Sequence, residues 1–250
     1  VTLMLKNNAF GHAGKRVIIE ECLRGEEASF IVMCDGQAAL PMASSQDHKT
    51  RDEGDRGPNT GGMGAYSPAP VVTAMIHGRI MREVIEPTLR GLAQDGTPYV
   101  GFLYAGVMIA DDGTPNVLEF NCRFGDPETQ PIMMRLQSDL VALCLAAIDG
   151  ALGTQTIRWD LRPALGVVMA AGGYPEQVAK GDEIEGIPPP QSNVKVFHAG
   201  TQLVDGKLLT SGGRVLCVTA LGETVGEAQQ RAYAAVKPIH WPGAFYRHDI

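Results

Sequence analysis

Apolar residues alternate or run together at several places along the first half of the chain, and these places predict β-strands. They are residues 16–20, 28–34, 39–43, 99–110 and 116–121. Between two of them, apolar residues recur at helical spacing over residues 73–94, which predicts an amphipathic helix. Thr73 opens this segment and is a good N-cap, because its hydroxyl can accept a hydrogen bond from a free N–H of the first turn.

The rest of the chain also mixes strands with single helices. Helices are predicted at residues 128–136, 138–148 and 224–236, the last with Thr224 as N-cap and Glu227 at the capping-box position. Strands are predicted at residues 164–171, 194–199, 201–204 and 215–221. Strands in hairpins followed by single helices predict the α+β fold class, with mixed or antiparallel sheets. A shift in composition at residues 150–162 predicts a domain boundary.

Composition excludes several classes of protein. The chain has 250 residues, 44% hydrophobic and 20% charged, which is ordinary for a globular protein with more than one domain. The net charge of −7 argues against a general nucleic-acid binder, which carries a basic surface. The longest apolar run, residues 140–148, is far too short to span a bilayer. The five cysteines show no zinc-ligand spacing, and we expect reduced thiols.

Polar side chains alternate along the predicted strand near residue 120. Because side chains two apart on a strand point to the same face, Glu119, Asn121 and Arg123 can project together. A carboxylate and an amide oxygen are hard ligands that suit Mg²⁺, which completes its shell with water and phosphate. The planar guanidinium of Arg123 would fit a carboxylate or a phosphoryl oxygen. The alternative is a half-exposed strand whose polar residues are simply solvated.

Residues 44–70 are rich in glycine, proline and polar side chains and predict a long loop, and such loops inside a domain are usually functional or disordered. Gly61, Gly62 and Gly64 lie close together, where backbone N–H groups could form an anion-binding nest. Lys49 is a candidate contact for a phosphate or a carboxylate. The alternatives are an ordinary glycine-rich loop and a solvated surface lysine.

Four long motifs give the chain a specific resemblance. They are Ile-Ile-Glu-Glu-Cys-Leu-Arg-Gly-Glu-Glu at 18–27, Ser-Gln-Asp-His-Lys at 45–49, Gly-Pro-Asn-Thr-Gly-Gly-Met-Gly at 57–64 and Leu-Glu-Phe-Asn-Cys-Arg-Phe-Gly-Asp-Pro-Glu-Thr-Gln at 118–130. With these motifs the chain resembles the phosphoribosylamine–glycine ligases, the glycinamide ribonucleotide synthetases of purine biosynthesis, which belong to the ATP-grasp superfamily. The similarity continues at 166–175, 196–201 and 212–222 and covers nearly the whole chain.

The resemblance implies roles for individual residues. Arg123 and Lys49 would be catalytic, and Glu119 and Asn121 would be ligands of Mg²⁺ or Mn²⁺. The ATP-binding residues would be Glu20, Glu21 and Leu23, which contact adenine largely through backbone, and Glu27, which holds the ribose hydroxyls. The substrate-binding residues, near glycine and the transferred phosphoryl group, would be Asp47, Thr60, Gly61, Gly62 and Gly64.

The resemblance also implies a domain organisation. Residues 1–15 would be the remnant of an ATP-grasp flap, residues 16–150 the ATP-grasp core, with a mixed or antiparallel sheet and helices, and residues 151–250 a smaller α+β C-terminal domain. The chain begins with Val1, and we expect it to be a C-terminal part of a longer enzyme, without the N-terminal domain and most of the flap.

The implied reaction is the ATP-dependent ligation of glycine to 5-phosphoribosylamine through glycyl phosphate, which gives glycinamide ribonucleotide, ADP and Pi. Two alternatives stay open, a nucleotide-binding remnant without activity and a related ATP-grasp ligase such as a carboxylase. The expected partners are the small molecules ATP, glycine and 5-phosphoribosylamine, with no nucleic acid and no membrane. We expect a cytoplasmic monomer.

Overall fold

The computed structural model describes residues 2–6 and 11–250. Residues 1 and 7–10 of the predicted flap remnant lie outside the described residues. In chain order the helices are α1 (Thr2–Leu5), α2 (Ala74–Ile80), α3 (Glu86–Gln94), α4 (Thr129–Arg135), α5 (Leu140–Ile148) and α6 (Val225–Val236). A π-helical turn, Met81–Ile85, joins α2 to α3. Short 3₁₀ turns lie at Gly11–Lys15 and Leu152–Thr154.

The strands mix long central ones with very short ones. In chain order they are β1 (Glu26–Asp35), β2 (Ala39–Pro41), β3 (Gln46–Asp47), β4 (Thr50–Asp52), β5 (Arg56–Asn59), β6 (Gly64–Ser67), β7 (Val100–Ile109), β8 (Pro115–Asn121), β9 (Ala164–Ala170), β10 (Val194–His198), β11 (Thr201–Val204), β12 (Lys207–Thr210) and β13 (Arg214–Leu221). The pairings between these strands are antiparallel. The predicted α+β class is therefore confirmed.

The first sheet has the strand order β2-β1-β7-β8 and is covered on both faces. Side chains alternate along β1, so that Phe30 and Val32 pack with α2 and α3, whereas Ile31 and Met33 pack with α5 on the other face. Burial on both faces explains the continuous apolar run of β1. Strand β8 is an edge of this sheet, and its middle residues are exposed.

The second sheet has the strand order β10-β13-β9-β6-β3, and α6 packs on one of its faces through Ala228, Ala232 and Val236. It joins strands from residues 46–67 to strands beyond residue 163. The prediction of a plain loop over residues 44–70 is therefore wrong, because this segment forms β3, β4, β5 and β6. A domain boundary near residue 150 stays a prediction, and this sheet contains strands from both sides of it.

Other predictions from the sequence have mixed outcomes. The predicted caps are confirmed, since the hydroxyls of Thr73 and Thr224 accept hydrogen bonds from the backbone N–H groups of Ile76 and Glu227 at 3.3 and 3.1 Å. The strand predicted at residues 16–20 is wrong. Ile18 and Ile19 are 87% and 81% exposed, and the segment has no regular structure. Its β-branched residues favour a strand only where a partner strand and a packed face exist, and this segment has no such partner among the described residues.

The cysteines form no disulfide, and the helices are short. All five cysteines are free, with Cys34 and Cys217 buried and Cys22 and Cys122 exposed. No helix in the described part of the chain has both the length and the apolar character needed to cross a membrane.

A buried arginine fastens the C-terminal end of the chain to the β4–β5 hairpin. The side chain of Arg247 is 2% exposed. Its Nη1 donates to Asp55 Oδ1 at 2.9 Å and to the carbonyl of Thr50 at 3.2 Å, and its Nε donates to Asp249 Oδ1 at 2.8 Å. Its hydrogen bond holds the pKa of Asp249 at about 2.

We predict that Arg247→Met lowers the free energy of unfolding by about 2–3 kcal/mol, because hydrogen bonds to a charged group contribute about 1.5–3 kcal/mol each and the new side chain makes none. A carboxyl with a lowered pKa stabilises the fold above its ordinary pKa, and this contribution disappears as the pH falls. The difference between wild type and variant should therefore shrink between pH 3.8 and about 2. Urea unfolding measures it. The exposed Arg82→Met is the control, and equal effects of the two changes would contradict the prediction.

Candidate active site

A cleft of about 350 Å³ lies between the end of β8 and the segment from β3 to β6. Six of the predicted site residues line it together: Asp47, Lys49, Thr60, Gly61, Glu119 and Arg123. They come from two segments that are far apart in the sequence. The structure therefore brings the strand motif and the loop motif into one place.

Lys49 lies between β3 and β4, and acidic side chains surround its ammonium group. Its Nζ donates a hydrogen bond to Glu27 Oε1 and lies 3.9 Å from Glu119 Oε1. Burial would lower the pKa of Lys49, but the hydrogen bond and the charge of Glu27 outweigh it and raise that pKa. The side chain thus stays protonated and offers a fixed positive charge at the cleft.

Strand β8 sets the geometry of the predicted metal ligands. Glu119 and Asn121 are two apart on it and share a face, with Gly106 and Tyr104 of β7 as their partners. A Cβ on Gly106 would lie 3.3 Å from Glu119 Cγ, so glycine leaves room for the glutamate. The strand ends at Asn121, and Arg123 lies two residues beyond it. The placement of all three on one strand is therefore wrong for Arg123, although Arg123 lines the same cleft.

The donor chemistry at β8 fits a hard divalent cation. Glu119 offers a carboxylate that is 53% exposed, and Asn121, half-buried at the end of β8, offers an amide oxygen. Mg²⁺ is commonly held by one or two protein ligands, with water and phosphate completing its shell. Within residues 2–6 and 11–250 there is no cluster of three or more His, Cys, Asp or Glu side chains suited to a metal. This part of the chain can therefore supply two ligands but not a closed all-protein site.

Two carboxyl groups line the cleft, those of the buried Glu128 and the half-buried Asp47. Glu128 is 2% exposed and accepts a hydrogen bond from Ser29 Oγ at 2.7 Å. Ser29 Oγ in turn lies 2.9 Å from Tyr104 Oη. Burial, followed by the charge of Glu128, raises the pKa of Asp47 to about 8, and Asp47 Oδ1 has no hydrogen-bond partner among the described residues. Asp47 therefore keeps its proton near neutral pH, and the described residues provide no cation bonded to either carboxyl group.

The glycine-rich segment is built differently from the predicted nest. The N–H of Gly61 donates to Tyr174 Oη at 2.9 Å, and the N–H of Gly62 donates to Thr60 Oγ1 at 3.0 Å. Gly64 lies in β6, where a Cβ would come within 2.7 Å of the Gly166 carbonyl oxygen, and it does not line the cleft. The expectation of an anion-binding nest is therefore wrong here, because the N–H groups of Gly61 and Gly62 are already bonded within the protein.

The predicted ATP-binding residues lie in two different environments. Glu20 and Glu21 are exposed and Leu23 is half-buried, in a segment without regular structure that does not line the cleft. Glu27 lies at the start of β1 and is bonded to Lys49. Among these four residues, only Glu27 is therefore linked to the cleft by a hydrogen bond.

Five further residues line the cleft and were not predicted as site residues: Asn59, Tyr104, Leu118, Asp126 and Glu128. Asp126 and Glu128 belong to the Gly-Asp-Pro-Glu run that carries the resemblance, and that run was the available signal. Tyr104 had a weaker signal, a hydroxyl within an otherwise apolar strand. Burial decides the cases of Tyr104 and Glu128, which are 4% and 2% exposed, and burial of a single polar residue cannot be read from local pattern.

Comparison with family models settles which family the chain belongs to. Residues 1–129 match the phosphoribosylglycinamide synthetase ATP-grasp (A) domain, and residues 164–250 match the C domain of the same family. The chain belongs to the phosphoribosylglycinamide synthetase family. The family assignment agrees with the resemblance seen in the motifs.

Individual relatives of the family agree with this assignment. The chain is 67% identical over 248 residues to a phosphoribosylamine–glycine ligase of Allochromatium vinosum, and it spans 58% of the length of that protein. A crystal structure of phosphoribosylamine–glycine ligase from Thermotoga maritima superposes with a TM-score of 0.82 at 38% identity, over 92% of this chain and 57% of that one. A biotin carboxylase domain of a thermophilic 2-oxoglutarate carboxylase superposes over 97% of this chain and 54% of that one, with a TM-score of 0.65 at 15% identity. This last similarity shows the fold alone.

We predict that Asp47→Asn stabilises the protein increasingly as the pH rises from 3.8 to about 8. The lower value is the ordinary pKa of the carboxyl, and the higher value is the pKa of Asp47 in the folded protein. A carboxyl with a raised pKa keeps its proton in the folded state and loses it in the unfolded state, so wild-type stability falls over this range. Asparagine has no proton to release. The difference in Tm between variant and wild type should therefore grow with pH. A thermal-shift series measures it, with the exposed Asp149→Asn as control, and a difference independent of pH would count against a buried Asp47 carboxyl.

Proposed function

We propose that this chain forms the ATP-grasp and C-terminal parts of a phosphoribosylamine–glycine ligase, which uses ATP and Mg²⁺ or Mn²⁺ to join glycine to 5-phosphoribosylamine. The supporting observation is the single cleft in which Lys49 and Arg123 provide positive charge beside the carboxylate of Glu119. Curated relatives of that name match 99% of the chain, and the chain spans 58% of their length. The activity of the complete enzyme is therefore a proposal.

The two cations have complementary tasks in this proposal. Lys49 is held by Glu27, so its charge is fixed in position and suits phosphoryl oxygens. The Nη1 of Arg123 donates to the carbonyl of Phe124 at 2.9 Å, and its planar fork has further N–H groups for the carboxylate of glycine and its phosphorylated form. Both charges would stabilise the negative charge that develops on the transferred phosphoryl group.

Nucleotide binding in this proposal draws on the segment before β1. Glu20, Glu21 and Leu23 would contact adenine, largely through their backbone, and Glu27 would hold the ribose hydroxyls. Because Glu27 is already bonded to Lys49, the ribose would have to share this carboxylate with the lysine. The exposed position of Glu20 and Glu21 gives a nucleotide free access to them.

Glu119 and Asn121 would hold the metal ion through a carboxylate and an amide oxygen. When bound, the ion neutralises charge on the phosphate oxygens of ATP. Without the ion, Lys49 is the cation nearest to the Glu119 carboxylate, at 3.9 Å.

The glycine substrate carries charges of both signs, and the cleft offers partners for both. Arg123 would bind the carboxylate, and the carboxyl groups of Asp47 and Glu128 would accept hydrogen bonds from the ammonium group, whose charge favours ionised Asp47. Thr60, Gly61 and Gly62 would close this end. Gly62 packs tightly there, since a Cβ would lie 2.3 Å from Pro127 Cδ and 2.6 Å from Asp47 Oδ1. Gly64 would support this segment from β6 and not from the cleft.

The reaction then has two chemical steps. An oxygen of the glycine carboxylate attacks the γ-phosphorus of ATP, the bond to the β-phosphate oxygen breaks, and glycyl phosphate and ADP form. The amine nitrogen of 5-phosphoribosylamine attacks the glycyl carbonyl carbon, the bond from that carbon to the phosphate oxygen breaks, and the nitrogen loses a proton. Phosphorylation is needed because a free carboxylate is a poor electrophile at neutral pH and has no good leaving group.

A second candidate is a polypeptide that binds Mg-ATP but does not turn it over. The observation that favours it is the exposed position of Glu20 and Glu21 outside the cleft. In the part of the chain that the structure describes, no second surface faces these residues to enclose an adenine ring. In either case the partners are small molecules, and the net charge of −7 supports neither nucleic acid nor an anionic membrane surface as a partner. We propose a monomer that acts in the cytoplasm.

Calorimetric titration of this chain with Mg-ATP, followed by an ADP-release assay with and without glycine, separates the two candidates. We expect saturable binding of Mg-ATP. EDTA should weaken this binding, because no metal ion then bridges the ATP phosphates and the Glu119 carboxylate. Glycine-dependent ADP release would support the ligase. Binding without release would support the second candidate, and no binding would contradict both.

We predict that Glu119→Gln and Arg123→Ala each lower kcat about 10²–10³-fold in the full-length ligase, the usual cost of removing one electrostatic contact to the transition state. The matched controls are Glu176→Gln and Arg158→Ala, two exposed residues that do not line the cleft. Steady-state ADP release measures kcat. A kcat close to that of the wild type in both cleft variants would refute the assignment of these residues.

A further inference from the structure

An arginine of the second sheet bonds to residues on two walls of the cleft but does not itself line the cleft. Arg214 is the first residue of β13, and its side chain is 20% exposed. Its Nη2 donates to Asp126 Oδ2 at 2.7 Å, and its Nη1 donates to the carbonyl oxygens of Asp126, at 2.9 Å, and Gly61. Asp126 and Gly61 are 65 residues apart in the sequence and both line the cleft.

A second side chain, that of Tyr174, binds the N–H of Gly61. Tyr174 Oη accepts that N–H at 2.9 Å, while Arg214 donates to the carbonyl of the same residue. The tyrosine ring packs against the residue preceding Arg214, since a Cβ on Gly213 would lie 2.3 Å from Tyr174 Cδ2. The N–H and the carbonyl of Gly61 are therefore both hydrogen-bonded, the first to Tyr174 and the second to Arg214. Both side chains belong to the part of the chain after residue 163.

Glycine at position 61 lets the Arg214 guanidinium approach as closely as it does. A Cβ there would lie 2.9 Å from both Cζ and Nη2 of Arg214, closer than side chains normally pack. The conformation of Gly61 does not require glycine, because its φ is not among the positive values. A side chain at position 61 would therefore displace the Arg214 guanidinium from its present position.

Thr60, which precedes Gly61, is hydrogen-bonded to the backbone of the proposed catalytic residue Lys49. The N–H and the hydroxyl of Thr60 donate to the carbonyl of Lys49 at 2.7 and 2.8 Å. On the other wall, Asp126 lies three residues after Arg123 and two before Glu128. Arg214 therefore ties the segment that carries Lys49 to the segment that carries Arg123.

We propose that Arg214, together with Tyr174, is a positioning clamp that fixes the spacing between the Lys49 and Arg123 walls of the cleft. This role rests on the proposed ligase activity, and it gives the sheet beyond residue 163 a part in the reaction. Arg214 itself touches no substrate, because it lies outside the residues that line the cleft. Its guanidinium acts through Gly61 and Asp126.

The experiment measures full-length ligase kinetics for Arg214→Ala and Gly61→Ala. We expect each variant to lower kcat/KM for glycine about 10–100-fold, because a displacement of about 1 Å in the reacting groups costs on that order. The KM for ATP should stay within about twofold of the wild type, because Glu27 and β1 are not bonded to the clamp. If each change breaks the same contact, the double variant should be no worse than either single one.

Arg231→Ala is the matched control. Arg231 also bonds a backbone carbonyl, that of Leu221 at 2.8 Å, and a carboxylate, that of Glu227, but it lies on α6 and does not line the cleft. A purely structural role of Arg214 would reduce the amount of active enzyme, lowering kcat with both KM values unchanged. That pattern, or additive effects of Gly61→Ala and Arg214→Ala, would overturn the clamp.

Hydrogen exchange of the peptide over residues 60–64 provides a readout that needs no activity. In the chain described here, Arg214→Ala should speed exchange in this peptide about 10-fold, whereas Arg231→Ala should leave it unchanged, because only the first removes a bond that holds the segment closed. If Arg214→Ala does not fold, Arg214→Lys and Gly61→Ala replace it. Unchanged exchange would overturn the clamp, and absent glycine-dependent ADP release in the wild type would instead overturn the proposed function.

Discussion

The pairing of β6 with β9 is the constraint on which the rest of the site depends. It sets Gly64 opposite Val167 and Ser67 opposite Ala164, and so brings the segment from β3 to β6 into the C-terminal sheet. A glycine permits it, because a Cβ on Gly64 would lie 2.7 Å from the Gly166 carbonyl oxygen. A bulkier residue at position 64 would push β6 away from β9 and carry Lys49 away from Glu119.

Electrostatics then organises the cleft around this scaffold. Lys49 is kept protonated by Glu27, and it faces an edge strand whose polar side chains are not committed to the core. Asp47 and Glu128 line the same cleft, and burial, followed by the charge of Glu128, raises the pKa of Asp47 to about 8. Groups with such shifted pKa values persist most often at functional sites.

Much of the fold could be predicted from local pattern, and the exceptions have physical causes. Strands β1 and β7 are apolar on both faces and easy to recognise, and Thr73 and Thr224 cap helices through contacts within a few residues. Residues 16–20 have the same β-branched character but find no partner strand among the described residues. The short strands β3 to β6 carry no periodicity of their own, because two to four residues are too few to show one.

The sequence by itself determined the family and the residue types that could perform the chemistry, since long motifs preserve Lys49, Glu119, Asn121 and Arg123 in their local order. Only the tertiary structure decided which of these groups meet, that Glu128 is buried beside Asp47, and that the N–H groups of Gly61 and Gly62 are already bonded. The clamp at Arg214 joins residues 153 positions apart. No local pattern can report such a contact, because hydrogen bonds and burial depend on distances in space that the order of residues leaves open.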